Sequence, residues 1–446
     1  MRSTKPLIAL VVVFGGILAY LYFVDAKKPV TPEGTEARDK VFDVEADKIH
    51  SLQIVSSTGE TTSLVRKDDT WQLTQPIASR ADETEVSGIT SNLSSLEIQS
   101  VVDENPKDLK QYGLAEPKVR VAFRTGANGP ERRLVIGTKT PTGGDLYAKR
   151  DDEARVFLIP AYVDTTFDRK PFDLRDKTIL KFDRDKVDRL ELSGAGTKVE
   201  AVKTGLDWQL TSPVKARADF SVVEGIVSRL QSAEMKSVVT ENPTEADLQK
   251  YGLDRPVATA TVGAGSSRAA LALGQTTPEN DVYARDLSAP LVVTVASDLL
   301  EDVRKDPADL RRKDIFEFRP FNVSRLEIRR DASTYVFEKT KGADNTDKWR
   351  RVSPKAGDVD AARMETLLSK LTALRAQSFV DQPGDRPGVS PALTVAARFD
   401  DGKKNEQVAF QRTGEDVLAV RQGEEGAARV TTAEFEEALA ALDALQ

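Results

Sequence analysis

The sequence predicts an α+β fold with three tandem copies of a unit of about 140 residues, preceded by one transmembrane helix. Each copy is expected to be an antiparallel sheet with packed helices. A Trp-x4-Pro-x5-Asp pattern that occurs three times predicts the repeats, and an uncharged run near the amino terminus predicts the membrane helix. Short apolar runs with alternating polarity between these landmarks are typical of strands.

The three tryptophans of the chain, Trp71, Trp208 and Trp349, define the repeat and lie 137 and 141 residues apart. Each is followed at the same spacing by a proline and an aspartate: Pro76 and Asp82, Pro213 and Asp219, Pro354 and Asp360. Self-similarity at a fixed period indicates duplication. This period is too long for a solenoid, so each copy is expected to be a small domain with its own core.

Repeats one and two share further landmarks, whereas repeat three has diverged. The shared pairs are Asn105-Pro106 and Asn242-Pro243, Tyr112-Gly113-Leu114 and Tyr251-Gly252-Leu253, Pro117 and Pro256, Tyr147-Ala148 and Tyr283-Ala284, and 174–177 and 310–313. Repeat three has the Gly/Pro-rich stretch Gln382 to Pro391 where the others have Tyr-Gly-Leu. A contact specific to repeat three and simple drift both account for this difference.

A helix is predicted after each aspartate, because apolar residues follow at the same helical offsets in all three repeats. The three sets are Val86, Ile89, Leu93 and Leu96; Val223, Ile226, Leu230 and Ala233; and Met364, Leu367, Leu371 and Leu374. The aspartate lies where a helix N-cap belongs. A hairpin is predicted around each Trp, and further short strands are predicted after the helix, as in 119–123, 134–136, 146–148 and 156–159.

The segment Leu7 to Val24 contains 18 residues without a charge, which is long enough to span a bilayer as one helix. A cleavable signal peptide has a shorter apolar region and is the alternative. The predicted organisation is a short tail (1–6), an anchor (7–24), a linker (25–40) and repeat domains at 41–180, 181–316 and 317–446. The expected location is the inner (cytoplasmic) membrane, with a single pass and the bulk of the chain extracytoplasmic.

Composition excludes several kinds of chemistry. The chain has no Cys and a single His, His50, so thiol nucleophiles, disulfides and sites that need paired His are ruled out. With 64 Lys+Arg against 71 Asp+Glu, the net charge is −7, and the basic surface that nucleic acid requires is not expected. No catalytic, cofactor-binding or metal-binding residues are therefore assigned, and no cofactor is expected.

The remaining candidates have structural interpretations beside the functional ones. His50 corresponds to Asp188 and Ser324 in the other repeats, which favours a solvated strand position over a general base. The aspartates are interpreted as helix caps and the tryptophans as core residues, with a carbohydrate platform as the alternative for the tryptophans. Tyr-Gly-Leu is interpreted as a helix end with Gly in the left-handed conformation, and Gly137 to Gly144 as a turn between strands, since it lacks the phosphate-loop order.

The amino-terminal apolar segment, the Trp-x4-Pro motif, and Asn-Pro followed by Asp-Leu and Tyr-Gly-Leu together resemble the bacterial domain-of-unknown-function family 4340. The resemblance rests on 71–117 and 208–256 and extends more loosely over 41–446. It implies an anchored, repeated extracytoplasmic part that belongs beside an ABC-2 type permease, its ATPase and a gliding-motility-type auxiliary protein. The family supplies no catalytic residues to transfer.

These observations favour a non-enzymatic, membrane-anchored accessory or scaffold protein whose partners belong to an ABC transporter-like envelope complex. A module that binds an envelope glycan or polymer is the alternative, in which the Trp or Tyr rings would be exposed. A carboxylate-dependent hydrolase is a third hypothesis, and it requires two acids facing one cleft about 5–10 Å apart. A small-molecule ligand is not predicted by any motif.

Overall fold

The computed structural model describes residues 39–150, 152–194, 196–341, 347–381 and 391–445. No helix within these ranges combines the length and apolar character needed to cross a membrane. The predicted anchor at 7–24, nearly all of the predicted linker, and residues 382–390 of the diverged stretch lie outside the described residues.

The chain forms two compact units, one ending at Asp176 and one beginning at Lys177. The first contains one nine-stranded antiparallel sheet, and the second contains two such sheets. The sheets belong to repeats one, two and three in chain order. The predicted α+β class with tandem antiparallel sheets is confirmed for the described residues. The exact domain boundaries stay predictions, and the boundary at 316/317 falls inside the second unit.

Repeat one has the strand order β4-β3-β2-β1-β6-β7-β8-β9-β5. Its strands are β1 Ile49–Val55, β2 Thr61–Lys67, β3 Thr70–Gln75, β4 Ser79–Arg80, β5 Ser100–Asp103, β6 Val119–Thr125, β7 Glu131–Lys139, β8 Asp145–Arg150 and β9 Val156–Pro160. Its helices are α1 Glu83–Ser95 and α2 Val163–Phe167. Strands β3 and β4 form a hairpin at one edge of the sheet.

Repeat two repeats this order with β13-β12-β11-β10-β15-β16-β17-β18-β14. Its strands are β10 Arg189–Gly194, β11 Thr197–Thr204, β12 Asp207–Ser212, β13 Ala216–Arg217, β14 Ser237–Thr240, β15 Ala258–Ala264, β16 Ser267–Thr276, β17 Asp281–Asp286 and β18 Val292–Ala296. Its helices are α3 Phe220–Gln231, α4 Glu245–Lys250, α5 Asp298–Val303 and α6 Pro307–Leu310.

Repeat three has the same order again, β22-β21-β20-β19-β24-β25-β26-β27-β23. Its strands are β19 Val323–Arg330, β20 Ser333–Lys341, β21 Asp347–Ser353, β22 Gly357–Asp358, β23 Ser378–Val380, β24 Leu393–Phe399, β25 Lys404–Thr413, β26 Asp416–Arg421 and β27 Ala427–Val430. Its helices are α7 Ala361–Ala373 and α8 Thr432–Asp443.

The helix after each Trp hairpin begins at the predicted aspartate. The Asp82 carboxylate accepts from two backbone N–H groups of α1, Asp219 does the same for α3, and Asp360 accepts from the N–H of Arg363. These bonds satisfy donors that the first helical turn leaves free. The predicted apolar residues of these helices are buried, except Ala233, which is half-buried. The helix therefore covers one face of its sheet as the periodicity predicted.

The tryptophans differ in burial between the repeats. Trp71 and Trp208 are 5% and 2% exposed, whereas Trp349 is half-buried at the edge of its core. The indole N–H of Trp208 donates to Glu224 at 2.9 Å, so its one polar atom is satisfied inside the protein. The core interpretation is confirmed for the first two tryptophans and holds only in part for Trp349. The proline that follows each Trp is cis in all three repeats.

Tyr-Gly-Leu builds a second, smaller core on the sheet face opposite the helix. The rings of Tyr112 and Tyr147 lie 5.1 Å apart, and those of Tyr251 and Tyr283 lie 4.5 Å apart. Gly113 and Gly252 end the preceding turn or helix with positive φ, as predicted. The strand packs so closely here that a Cβ on Gly137 would lie 2.1 Å from the Tyr112 carbonyl oxygen. Gly137 therefore serves close packing, and Thr140 to Gly144 forms the turn between β7 and β8.

We expect Trp71→Ala and Trp208→Ala to lower the free energy of unfolding by about 3–5 kcal/mol each, the range for emptying a buried aromatic site. Trp349→Ala should cost clearly less, because part of that ring already contacts solvent. Urea unfolding followed by far-ultraviolet circular dichroism measures all three. An unchanged midpoint for Trp208→Ala would contradict its burial.

Candidate functional site

The most elaborate polar arrangement among the described residues joins repeat two to repeat three within the second unit. Arg217, at the end of the β12–β13 hairpin, reaches into repeat three. Its Nε donates to Glu424 at 2.5 Å, and its Nη2 donates to the carbonyls of Asp314 and Ile315 at 2.9 and 3.3 Å. The guanidinium thus binds one carboxylate and the backbone that leads into repeat three.

A second arginine, Arg311, lies beside Arg217 because its backbone bridges to Ala218 at the hairpin edge. Its guanidinium donates to Asp381 and to the Glu425 carbonyl, each at 3.1 Å, and lies 4.1 Å from the centre of the Phe379 ring. The residue is only 3% exposed. We call Arg217 and Arg311 the arginine clamp, since together they hold the turn between β26 and β27.

The backbone completes the same contact. The N–H of Lys215 donates to the Glu425 carboxylate at 2.9 Å, and the Glu425 N–H donates to the Lys215 carbonyl at 2.7 Å. One of these bonds uses the Glu425 side chain and the other joins two backbone groups, so the hairpin tip and the turn are held together at two points.

A chain of ion pairs continues from the clamp into repeat three. Arg421 contacts Glu424 at 3.3 Å and is also bonded to Glu406, whose side chain is fully buried. Glu406 further accepts from the N–H groups of Glu317 and Phe318 at 3.0 and 2.8 Å. A buried carboxylate needs such partners, since an unpaired one would be expensive to desolvate.

Lys404 and Glu317 form the outer end of this chain, with Nζ and Oε1 2.5 Å apart. Burial acts to raise the pKa of the Glu317 carboxyl, but the hydrogen bond from Lys404 and nearby positive charges outweigh it and hold that pKa below its usual value. The hydrogen bond to Glu317 raises the pKa of Lys404. Desolvation lowers the pKa of Arg217 despite Glu424, yet an arginine stays charged at any ordinary pH.

A cleft of about 220 Å³ lies beside the clamp, between the repeat-two hairpin and repeat three. Two of its acids, Glu424 and Glu317, are bonded to Arg217 and Lys404. A carboxyl that acts as a general acid requires a raised pKa, and Glu317 is shifted the opposite way. The arrangement is suited to holding two repeats together.

The candidate residues from the sequence analysis lie at separate places in the structure. The three aspartates cap three separate helices, and the turn at 140–144 connects strands. His50 is half-buried on β1, at a strand irregularity, and lines an open pocket of about 670 Å³ with Asp47, Asp68 and Asp69. Within the described ranges, no group of three or more His, Asp or Glu side chains is arranged to hold a metal ion.

Sequence reasoning did not identify the arginine clamp. Arg311 belongs to the Leu-Arg-Arg-Lys segment that was noted as a shared landmark, so a signal was present. Arg217 has an arginine, Arg80, at the equivalent hairpin position of repeat one and Asp358 in repeat three, so this shared arginine was also a signal that sequence reasoning did not use. Their partners lie 70 to 207 residues further along the chain, beyond the reach of local patterns.

The fold and the clamp define a repeat protein of three antiparallel sheets, two of which are joined through buried arginines. The family model described as "Domain of unknown function (DUF4340)" matches residues 71–206 and 208–391. The chain therefore belongs to the DUF4340 family. Both matched segments begin at a Trp of the repeat motif, Trp71 or Trp208. The resemblance inferred from the sequence is confirmed at the level of the family.

Comparisons with curated proteins and with solved structures indicate no function for this chain. The search of curated proteins finds no match. Among solved structures, a ligand-bound DNA polymerase sliding clamp from Pseudomonas aeruginosa is 8% identical, covering 89% of this chain and 93% of that chain, with a TM-score of 0.17. A sliding clamp from the same organism bound to griselimycin is also 8% identical, covering 89% and 94%, with a TM-score of 0.15. Similarity at this level carries no argument about fold or function.

We expect Arg217→Ala to weaken the junction by about 2–3 kcal/mol, somewhat less than loss of a fully buried pair, because Arg217 and Glu424 keep 16% and 18% side-chain exposure. The variant should unfold in an additional step, with repeat three separating from repeat two. Calorimetry of the full chain measures this. Arg229→Ala is the matched control, since Arg229 pairs with Asp298 and Asp302 inside repeat two. Identical behaviour of the two variants would contradict the role of the clamp.

The Glu317–Lys404 pair predicts a pH dependence of stability. Because the folded-state pKa of Glu317 is lowered, its stabilisation is present above the unfolded pKa and is lost as the pH falls through the folded pKa. Glu317→Gln should lower the free energy of unfolding by about 0.5–1 kcal/mol at pH 7, after allowing for solvent screening at Lys404. The difference from the parent should shrink below about pH 4. A difference that stays constant from pH 7 to pH 3 would disprove this assignment.

Proposed function

We propose that this protein is a non-enzymatic, membrane-anchored accessory or scaffold subunit on the extracytoplasmic side of the inner membrane. Its partners in this proposal are proteins of an ABC-2 type transporter complex. The single pass would be the apolar segment Leu7 to Val24. Family membership is compatible with this proposal but carries no activity of its own.

The arginine clamp is the observation that carries the scaffold role. Burying Arg311 and most of Arg217 costs desolvation, which is offset by bonds that serve only to fix repeat three against repeat two. A protein that presents surfaces to a partner needs such fixed geometry between its repeats. The shared residues of the repeats also support this role, since they serve cores, helix caps and close strand packing.

The alternative of a glycan-binding module has one specific observation in its favour, the half-buried Trp349. Lys339 Nζ lies 5.4 Å from the centre of its ring, so a cation already contacts the ring. Trp71 and Trp208 are buried and offer no face to a sugar. The platform hypothesis therefore concerns repeat three alone, and the scaffold role is preferred.

The proposal is tested first by location and orientation. The full chain should fractionate with membranes, and protease added to intact spheroplasts should digest residues 41–446. These results are expected because the apolar segment is followed by a large polar part. Complete protection would reverse the orientation, and a mature form that starts near Lys27 would indicate cleavage in place of anchoring.

Partner binding is tested by cross-linking in membranes, followed by purification of the full chain. An ABC-2 type permease or its ATPase should be recovered with the parent and with Arg229→Ala. Recovery should fall with Arg217→Ala, in which repeats two and three are no longer fixed together. If neither transporter component is recovered with the parent, the assigned partner class is wrong.

A further inference from the structure

Three arginines surround one aspartate in the part of the chain that leads into repeat three and at the end of its main helix. Asp314 Oδ1 lies 3.1 Å from Nη1 of Arg375, which follows α7. Asp314 Oδ2 lies 3.2 Å from Arg319 Nη2 and 3.6 Å from Arg312 Nε. The backbone fixes this arrangement, because Asp314 and Arg375 form a β-bridge. We call Arg312, Arg319 and Arg375 the arginine trio.

The arginine trio carries more positive charge than its aspartate can neutralise. One carboxylate contacts three guanidinium groups, so two positive charges are left over. The side chain of Asp314 is 22% exposed, whereas those of Arg312, Arg319 and Arg375 are 28%, 36% and 58% exposed. A solute therefore meets the arginines more readily than the carboxylate, and a negatively charged solute would relieve the repulsion between them.

The neighbouring cleft does not supply the missing negative charge. Arg312 also lines the cleft beside the arginine clamp, where the lining contains four cationic and three acidic side chains. Glu424 is bonded to Arg217, and Glu317 is bonded to Lys404. These two carboxylates are thus committed to other cations, and the excess positive charge of the trio remains.

The trio also retains hydrogen-bond donors. Arg319 uses Nη1 for the carbonyls of Phe316 and Phe318, at 3.3 and 3.2 Å, which fixes its position. Within the described part of the chain, the guanidinium of Arg312 makes no hydrogen bond, and that of Arg375 has Asp314 as its one ion-pair partner. Since each guanidinium has five N–H donors, several remain for a ligand.

The positive charge is specific to repeat three. The bridge between Asp314 and Arg375 recurs in repeats one and two, and it aligns the three copies at this place. Both other repeats have acids where repeat three has arginines, so the fold itself does not require a positive charge here. The equivalents of Arg375 are Glu97 and Glu234, and those of Arg319 are Glu45 and Asp183.

We propose that the arginine trio binds a phosphate group, presented by inorganic phosphate or by a phosphate monoester. A phosphate monoester carries a charge of about −1.5 to −2 at pH 7 and three strong acceptor oxygens, which match the two uncompensated charges and the remaining donors. A carboxylate supplies one negative charge only. Arginine suits this ligand because its planar fork of N–H groups pairs with phosphate oxygens.

The bound phosphate joins the segment 312–319 to the residue that follows α7. It therefore acts beside the backbone that the arginine clamp holds, since the Asp314 carbonyl accepts from Arg217. This site goes beyond the scaffold role and does not depend on the transporter partner. Its test consequently needs only the purified full chain.

Isothermal titration calorimetry of the full chain in mild detergent measures the binding of inorganic phosphate and of glycerol 3-phosphate. We expect saturable binding that potassium chloride at the same ionic strength does not reproduce. Arg375→Glu should weaken it by about tenfold or more, because hydrogen bonds to a charged group are lost. This variant has the residue type of the other two repeats, so it should fold. Arg412→Glu is the matched control, since it makes the same charge change at an arginine that pairs with Glu436.

The two probes separate the sources of the phosphate group: binding of inorganic phosphate alone assigns the free ion, and binding of both assigns a ligand that carries a phosphate ester. A second readout is pH, because glycerol 3-phosphate should bind more weakly below about pH 6, where it becomes a monoanion. Absence of saturable binding, or equal affinities of Arg375→Glu and Arg412→Glu, would overturn the proposal. If acetate competes as strongly as phosphate, the site takes carboxylates and the phosphate assignment is wrong.

Discussion

Each repeat depends on one constraint, which is that one face of its nine-stranded antiparallel sheet must be covered. The helix after the Trp hairpin provides that cover, and it can start only where the chain leaves the hairpin edge. The aspartate cap fixes this start, because its carboxylate accepts from N–H groups of the first turn that have no acceptor within the helix. In repeats one and two, the buried Trp of the hairpin packs in the core with the capped helix and the sheet.

The opposite face of the sheet shows how the repeats diverged. In repeats one and two, a tyrosine pair and a leucine cover part of that face. In repeat three, register places Leu418 where the others have Tyr147 and Tyr283. The inner core is retained, with Met364, Leu367 and Leu371 on the same helix face. The sheet therefore accommodates different residues on its outer face, because successive side chains of a strand point to opposite faces and pack independently.

In contrast, charged side chains make the contact between repeats two and three. Arg217 and Arg311 are nearly removed from water and yet are matched by carboxylates, carbonyls and an aromatic ring. Such contacts depend on exact partners and tolerate few substitutions, since a buried charge that loses its partner is costly.

The sequence by itself determined the repeat, the α+β class, the helix caps at Asp82, Asp219 and Asp360, and the core positions that follow them. These features are local: a cap, a helical period or a strand alternation is set by residues within a few positions of one another. Three features were decided only by the tertiary structure: Trp349 is half-buried, Gly137 packs closely against the Tyr112 carbonyl, and Arg217 donates a hydrogen bond to Glu424. Those outcomes depend on contacts between distant segments, and no local periodicity encodes which distant surface a side chain will meet.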